Sequence, residues 1–360
     1  MGSTSNRIVG FDIARALAIF GMVIVNYKIS MGAEGNGAEW LIFLTGLFEG
    51  RAAAVFVILA GIGISLSTRK VRQSPIDASQ IRSVQISIWK RSLFLLLLGL
   101  SLFLLGWDAD ILHYYACYMI IASLFIAASS RTLLWTAAGI ILLAEIMQLS
   151  LNYAYGWHPS FAYYEIFWTP EGFIRNLFFN GYHPIFPWVS FMLFGMWLGR
   201  LNMRDMQLRK KLAVLALILT VGVEVFSYMM IQLTQASLER EIAQYLFWTK
   251  PMPPNLFYMI ASSGTAVLVI VGCVEMAERF HQHAVTRLLM VTGQLALTLY
   301  VAHFMLLIVF DIFGLLENNS LSFATAVSFL FFLSAMLFAT LWRKAFTRGP
   351  IEWLMRKVSS

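Results

Sequence analysis

Residues 94–106 read FLLLLGLSLFLLG, a run without a charged side chain in which only Gly99 and Ser101 interrupt the large apolar residues before Gly106. No water-soluble surface accommodates such a run, and the rest of the chain has the same character. Of its 360 residues, 59% are hydrophobic and 12% charged, and the mean hydropathy is +0.73. Soluble domains are typically about 45–50% apolar and about 25% charged. Too few polar side chains remain to coat a globule. The expected fold class is therefore all-α, a polytopic helix bundle in a lipid bilayer, built as a single membrane domain over 1–360.

Ten apolar spans are expected, at 8–28, 41–67, 92–106, 111–128, 133–150, 183–200, 212–232, 256–277, 289–313 and 322–342. The third is short. The second is long enough to tilt, or to begin as an interfacial helix before Gly50. Pro184 and Pro187 are the only prolines inside a span, in its first turns, where proline is tolerated. With the N-terminus inside, twenty of the 26 Lys and Arg residues fall in the terminal segments or in the loops 69–91, 129–132, 200–211 and 278–288. That asymmetry puts both termini in the cytoplasm and accounts for the net charge of +7 without nucleic acid. Cys117 and Cys273 lie in apolar runs and read as core residues. The first span is long and lacks a small-residue cleavage site, so no cleavable signal peptide is expected.

The first span carries polar groups whose burial in lipid is costly, about 3 kcal/mol for a charge at the bilayer centre. Asp12 and Arg15 are three residues apart and can pair on one helix face. Asn26 follows Arg15 by eleven residues, close to three turns and about 16 Å further along the axis, on nearly the same stripe. The second span brings Glu49 and Arg51, followed by small residues that permit close helix approach. Glu145, Glu224 and Glu275 have no partner that the sequence assigns.

Histidines cluster on the outer side. WDADILHYYACYM places Asp110 one helical turn before His113, so that the carboxylate can orient the imidazole. GYHPIFPWVSF places His183 at the start of the sixth span. Either imidazole could serve as a general base or be a satisfied core group. His303 lies mid-span, as a lining residue or a core pair. His158 reads as a surface group. His281-x-His283 is a weak metal signal, and no metal is expected. The outer loop 151–182 is rich in aromatic residues, which read either as an interfacial belt or as a stacking surface for a sugar.

FDIARALAIFGMVIVNY resembles the "LDxxRGxAxxxMxxVN" first helix of the transmembrane acyltransferase superfamily, which includes heparan-α-glucosaminide N-acetyltransferase and the YeiB-like bacterial membrane proteins. DILHYYACYMI is similar to their "DILxxYA" segment, and GYHPIFPWVSFMLFGMWLGR to "PWxxxxxxGxxxGR". TGQLALTLYVAH and RGPIEWLMRKVS resemble YeiB-like "GrxALTxY" and "GPxEWxxR". The signatures run from 7–68 to 289–359, in order. Two departures stand out. Ala16 replaces a glycine, and the histidine that related families carry in the first outer loop, or at the position of Asn26, is absent.

The resemblance implies an acyltransferase of a bacterial cytoplasmic membrane. It would use acetyl-CoA or another acyl-CoA from the cytoplasm and an extracytoplasmic polar acceptor: a sugar, glycan or small natural product. Asp12 and Arg15 would meet the CoA, and Glu49 and Arg51 the acceptor. His183 or His113 would take its proton, Asp110 would orient the imidazole, and Asn26 would bond the oxyanion. A homo-oligomer is compatible with this reading. A transporter or flippase would use the same buried charges and is the alternative.

Overall fold

A computed structural model describes residues 7–73, 77–234 and 237–359. Among these, the chain is helical, with one isolated bridge between Trp157 and Tyr164. In chain order the helices are α1 Val9–Ser30, α2 Glu39–Gly46, α3 Arg51–Ser67, α4 Arg69–Gln73, α5 Ala78–Leu104, α6 Leu112–Leu124, α7 Ser130–Ser150, α8 Pro170–Arg175, α9 Ile185–Leu198, α10 Met206–Thr234, α11 Arg240–Phe247, α12 Leu256–Arg279, α13 Ala284–Gly293, α14 Ala296–Ile312, α15 Leu321–Ala345 and α16 Pro350–Ser359. Every expected span lies on one or two of them.

Seven described segments are long and apolar enough to cross a bilayer, and α13 with α14 makes an eighth, bent by 80°. α6 and α9 are apolar but shorter, 13 and 14 residues. At 1.5 Å per residue each spans about 20 Å. α10 leaves Leu215, Leu217, Ile218 and Leu219 exposed, side chains suited to lipid rather than water. The protein is an integral membrane protein.

Two features depart from the sequence reading, and a third decides between the alternatives given for the second span. Residues 69–73 and 78–91 are not a basic loop: they form α4 and the first half of α5. Asp77 caps α5, accepting from Ser79 N at 2.8 Å and Ser79 Oγ at 2.7 Å, and these bonds hold its carboxyl below the usual range. Arg82, Lys90 and Arg91 disguise a helix whose apolar residues include the buried Ile88. Next, the second span is broken at 47–50, where Gly50 takes φ +67°, so α2 is a separate helix. Finally, α9 begins irregularly. Pro184 is its cap and Phe186 lies off the helical region at φ −97°, ψ 114°, so Pro187 follows a kink rather than a regular first turn.

The chain forms two compact units. In unit one (residues to 56, 206–213 and 265–354), α1 is the central helix and packs on α13, α14 and α15. The α1–α13 approach is backbone-tight: a Cβ on Gly293 would lie 1.8 Å from Asp12 O. The tail caps α14, because Glu352 Oε1 accepts from Leu297 N at 2.8 Å and Thr298 N at 3.0 Å. Glu275 finds its partners here, Arg209 at 2.9 Å and Arg279 at 2.8 Å.

In unit two (57–205, 214–264 and from 355), α9 is buried on nearly every face. It packs on α6 and α7, and α5 packs on α6. Glu224 accepts from Thr249 Oγ1 at 2.9 Å, and Glu145 accepts from Leu256 N at the start of α12. Both carboxylates brace helix and loop ends. The aromatic loop folds into its own core. Trp157, Tyr164 and Phe167 are buried with Phe103, and Phe103 stacks on Phe167 at 3.8 Å between centroids. Neither a belt nor an open stacking surface describes these rings.

Candidate functional site

In unit one the polar groups of α1 have separate partners along the helix. Asp12 is buried and accepts from Arg15 Nη1 at 2.8 Å and from Arg7 at 2.7 and 2.8 Å. Two guanidiniums share one carboxylate, so the cluster keeps a net charge of +1. The Arg15 and Arg7 side chains remain 28% and 52% exposed, open to an anion.

Asn26 does not stand free for a substrate. Its Nδ2 lies 3.0 Å from His303 Nε2. His303 Nδ1 faces the Tyr300 carbonyl and so carries the proton, leaving Nε2 to accept from the Asn26 amide. Tyr27 adds a bond to His303 O at 3.1 Å. His303 is thus a buried, paired core residue, which decides between its two readings.

Glu49 sits in the turn before α3 and pairs with the buried Lys28. Glu34 lies 3.9 Å from the same ammonium. Arg51 opens α3. Removing a carboxylate from a buried ammonium is costlier than removing the ammonium. Glu49→Gln is expected to destabilise the protein by about 3 kcal/mol. Lys28→Met should cost clearly less. Thermal unfolding in detergent compares them; equal losses would contradict the buried-charge account.

Unit two holds the imidazoles. Asp110 and His113 are both fully buried, with Oδ2 2.8 Å from His113 Nδ1 and 3.0 Å from His113 N. The carboxylate therefore selects the Nδ1–H tautomer and turns Nε2 into a lone-pair acceptor. That Nε2 is buried and has no hydrogen-bond partner among the described residues. α5 passes close to the pair: a Cβ on Gly99 would lie 2.4 Å from Asp110 Oδ2. The Tyr114 ring lies 3.9 Å from the His113 ring and 6.0 Å from that of His183, so it contacts both. Tyr114 donates to Asn176 Oδ1, and Tyr118 donates to His183 O. His183 packs edge-on to Trp188 at 4.6 Å, and its buried Nδ1 is also without a partner among the described residues. His158, as expected, is on the surface, bonded to Ser160 Oγ at 2.8 Å.

The structure thus joins Asp12 to Arg15 and Asp110 to His113, as their three-residue spacing suggested. Arg15 and Asn26 have separate partners. Sequence reasoning passed over Arg7, Gly99, Tyr114 and Asn180. Asn180 is fully buried and ties the loop together, donating to the Tyr153 and Tyr155 carbonyls at 2.8 Å and accepting from Tyr164 at 3.0 Å. Its signal, a polar residue beside Gly181, is shared by many loop positions.

The fold and these contacts define a class: polytopic membrane proteins with a buried, carboxylate-oriented imidazole. Residues 7–233 match the family described as heparan-alpha-glucosaminide N-acetyltransferase, catalytic, and residues 198–360 match a family described as a protein of unknown function (DUF418), which is YeiB-like. The first match covers more than half of the chain, and the protein belongs to that catalytic family. No curated protein matches it.

Proposed function

We propose that this protein is an acyltransferase of a bacterial cytoplasmic membrane, with both termini in the cytoplasm. It would move an acyl group, acetyl by family, from acyl-CoA to a hydroxyl or amine of an extracytoplasmic sugar, glycan or small natural product. One observation carries the reading: the buried Asp110–His113 pair with a partnerless Nε2. In the proposed step His113 Nε2 takes the acceptor proton as the acceptor attacks the thioester carbonyl. The C–S bond then breaks and the proton passes to the departing CoA thiolate. Asp110 holds the ring and stabilises the imidazolium. His183 is proposed to line the acceptor path. Within unit one, Glu49 and Arg51 are proposed as polar contacts for a ligand, and Asn26, held by His303, is given no part in the step.

The CoA phosphates are assigned to the Arg7–Asp12–Arg15 cluster, whose surplus positive charge supports it. Arg15→Ala is expected to weaken CoA binding about tenfold by calorimetry. Unchanged affinity would remove Arg15 from the donor site. Purified protein should release free thiol from acetyl-CoA only when an acceptor is present. Absence of both CoA binding and thioester consumption would reject the enzyme.

Transport has one observation in its favour, the 80° break between α13 and α14, since interrupted helices mark substrate sites in carriers. It requires uptake into vesicles with the thioester untouched.

A further inference from the structure

Unit two encloses a second feature that acyl transfer does not use. Segments 148–161 and 241–253 surround a cavity of about 640 Å³. The rings of Tyr153, Phe161, Tyr245 and Trp248 line it. Among its described lining residues Glu241 is the single charged one, and none is Lys or Arg. Leu151, Ala154, Met252 and Pro253 add hydrocarbon to the wall, and Gln148, Asn152 and Gln244 add amides.

Four details give this lining a chemistry. Aromatic faces are negative and attract cations. Trp248 already does so, with Lys250 Nζ 5.7 Å from its ring centroid. Tyr153 is only 5% exposed, yet its hydroxyl has no hydrogen-bond partner among the described residues. Tyr245 is different, donating to Gln148 O at 2.8 Å. Burial pushes both phenols up, Tyr245 to about 12 with help from Glu145, so both are neutral under ordinary conditions. Phe161 is held at φ +55°, a conformation costing about 1–2 kcal/mol outside glycine. Tyr182 fixes that turn by donating to the Phe161 and Ala162 carbonyls at 3.2 and 2.8 Å.

We propose that this cavity binds a protonated primary or secondary amine with an apolar body. Its ammonium is held by the aromatic faces and the Glu241 carboxylate. The inference is independent of acyl transfer. The ammonium could belong to a free amine or to an ethanolamine lipid headgroup.

Calorimetric titration in detergent with 2-phenylethylamine and its neutral analogue 2-phenylethanol tests it. The amine is expected to bind saturably and the alcohol about tenfold more weakly. Trp248→Ala is expected to lower amine affinity about tenfold and Glu241→Gln severalfold, with thermal unfolding of both variants checked against wild type. Repeating the titration in phosphatidylethanolamine and phosphatidylglycerol nanodiscs identifies the source: suppression only by ethanolamine lipid shows a headgroup site, and equal binding in both shows a free-amine site. Equal affinity for amine and alcohol, no saturable binding, or folded Trp248→Ala and Glu241→Gln variants that bind like wild type would overturn the proposal. Failure of acetyl-CoA to bind would count against the enzyme and leave this titration unaffected.

Discussion

Replacing His113 with Gln is expected to lower kcat for acyl transfer about 10³-fold, with CoA affinity unchanged. The side chain keeps roughly the same bulk between Phe103, Phe167 and Tyr114, but the lone pair at Nε2 is lost. Asp110→Asn tests the same pair from the other end. An amide in place of Oδ2 can donate to Nδ1, which moves the ring proton to Nε2 and removes the acceptor. Its loss of kcat is expected to lie in the same range, about 10²–10⁴. Gly99→Ala perturbs both without touching either, because its Cβ would meet Asp110 Oδ2 at 2.4 Å and His113 N at 2.5 Å. A structural role alone would lower the melting temperature of these variants while the turnover of the folded fraction stayed at wild-type level. Wild-type turnover in a folded His113→Gln protein would end the assignment of the base. His183→Gln, in which the buried Asp110–His113 pair remains, is the comparison that separates the two imidazoles.

The positions of the helices were legible because lipid demands long apolar runs and this chain supplies them without ambiguity. Local pairs were legible as well: Asp12 with Arg15 and Asp110 with His113 follow from three-residue spacing on a helix. What escaped depended on distant segments or on mixed faces. His303 and Asn26 meet across 277 positions, and no periodicity connects them. Glu352 reaches the start of α14 across more than fifty residues. The two motifs that carry the C-terminal resemblance, ALTLY and GPIEW, are therefore two sides of one helix cap. The first half of α5 escaped because Arg82, Lys90 and Arg91 lower a hydropathy average without breaking a helix. The bend after Gly293 has no proline to announce it. Part of the aromatic loop escaped because composition cannot distinguish rings that face outward, as Tyr163 and Trp168 do, from rings that stack in a core, as Phe167 does on Phe103.

A pair of glycines brings two helices of unit two into backbone contact, and Gly61→Ala is expected to destabilise the protein by about 3 kcal/mol. A Cβ on Gly61 of α3 would lie 2.1 Å from Met192 O and 2.8 Å from Met196 N, and one on Gly195 of α9 would lie 2.1 Å from Ile58 O. The obstructing atoms are backbone on both sides, so no side chain can rotate away, and the helices must separate. Separation loses the close packing that drives helix association in lipid, where water expulsion contributes little. Gly63, two residues along α3, is the internal control. A Cβ there meets nothing within 4 Å, so Gly63→Ala should be neutral or stabilise by up to about 1 kcal/mol through backbone entropy. Gly61→Ala and Gly195→Ala should combine to less than their sum, because helices already separated for one methyl accommodate the other. Denaturant titration in mixed micelles measures all four proteins. If Gly61→Ala unfolds with the midpoint of Gly63→Ala, α3 and α9 are not in backbone contact, and α9 loses its place as the core of unit two.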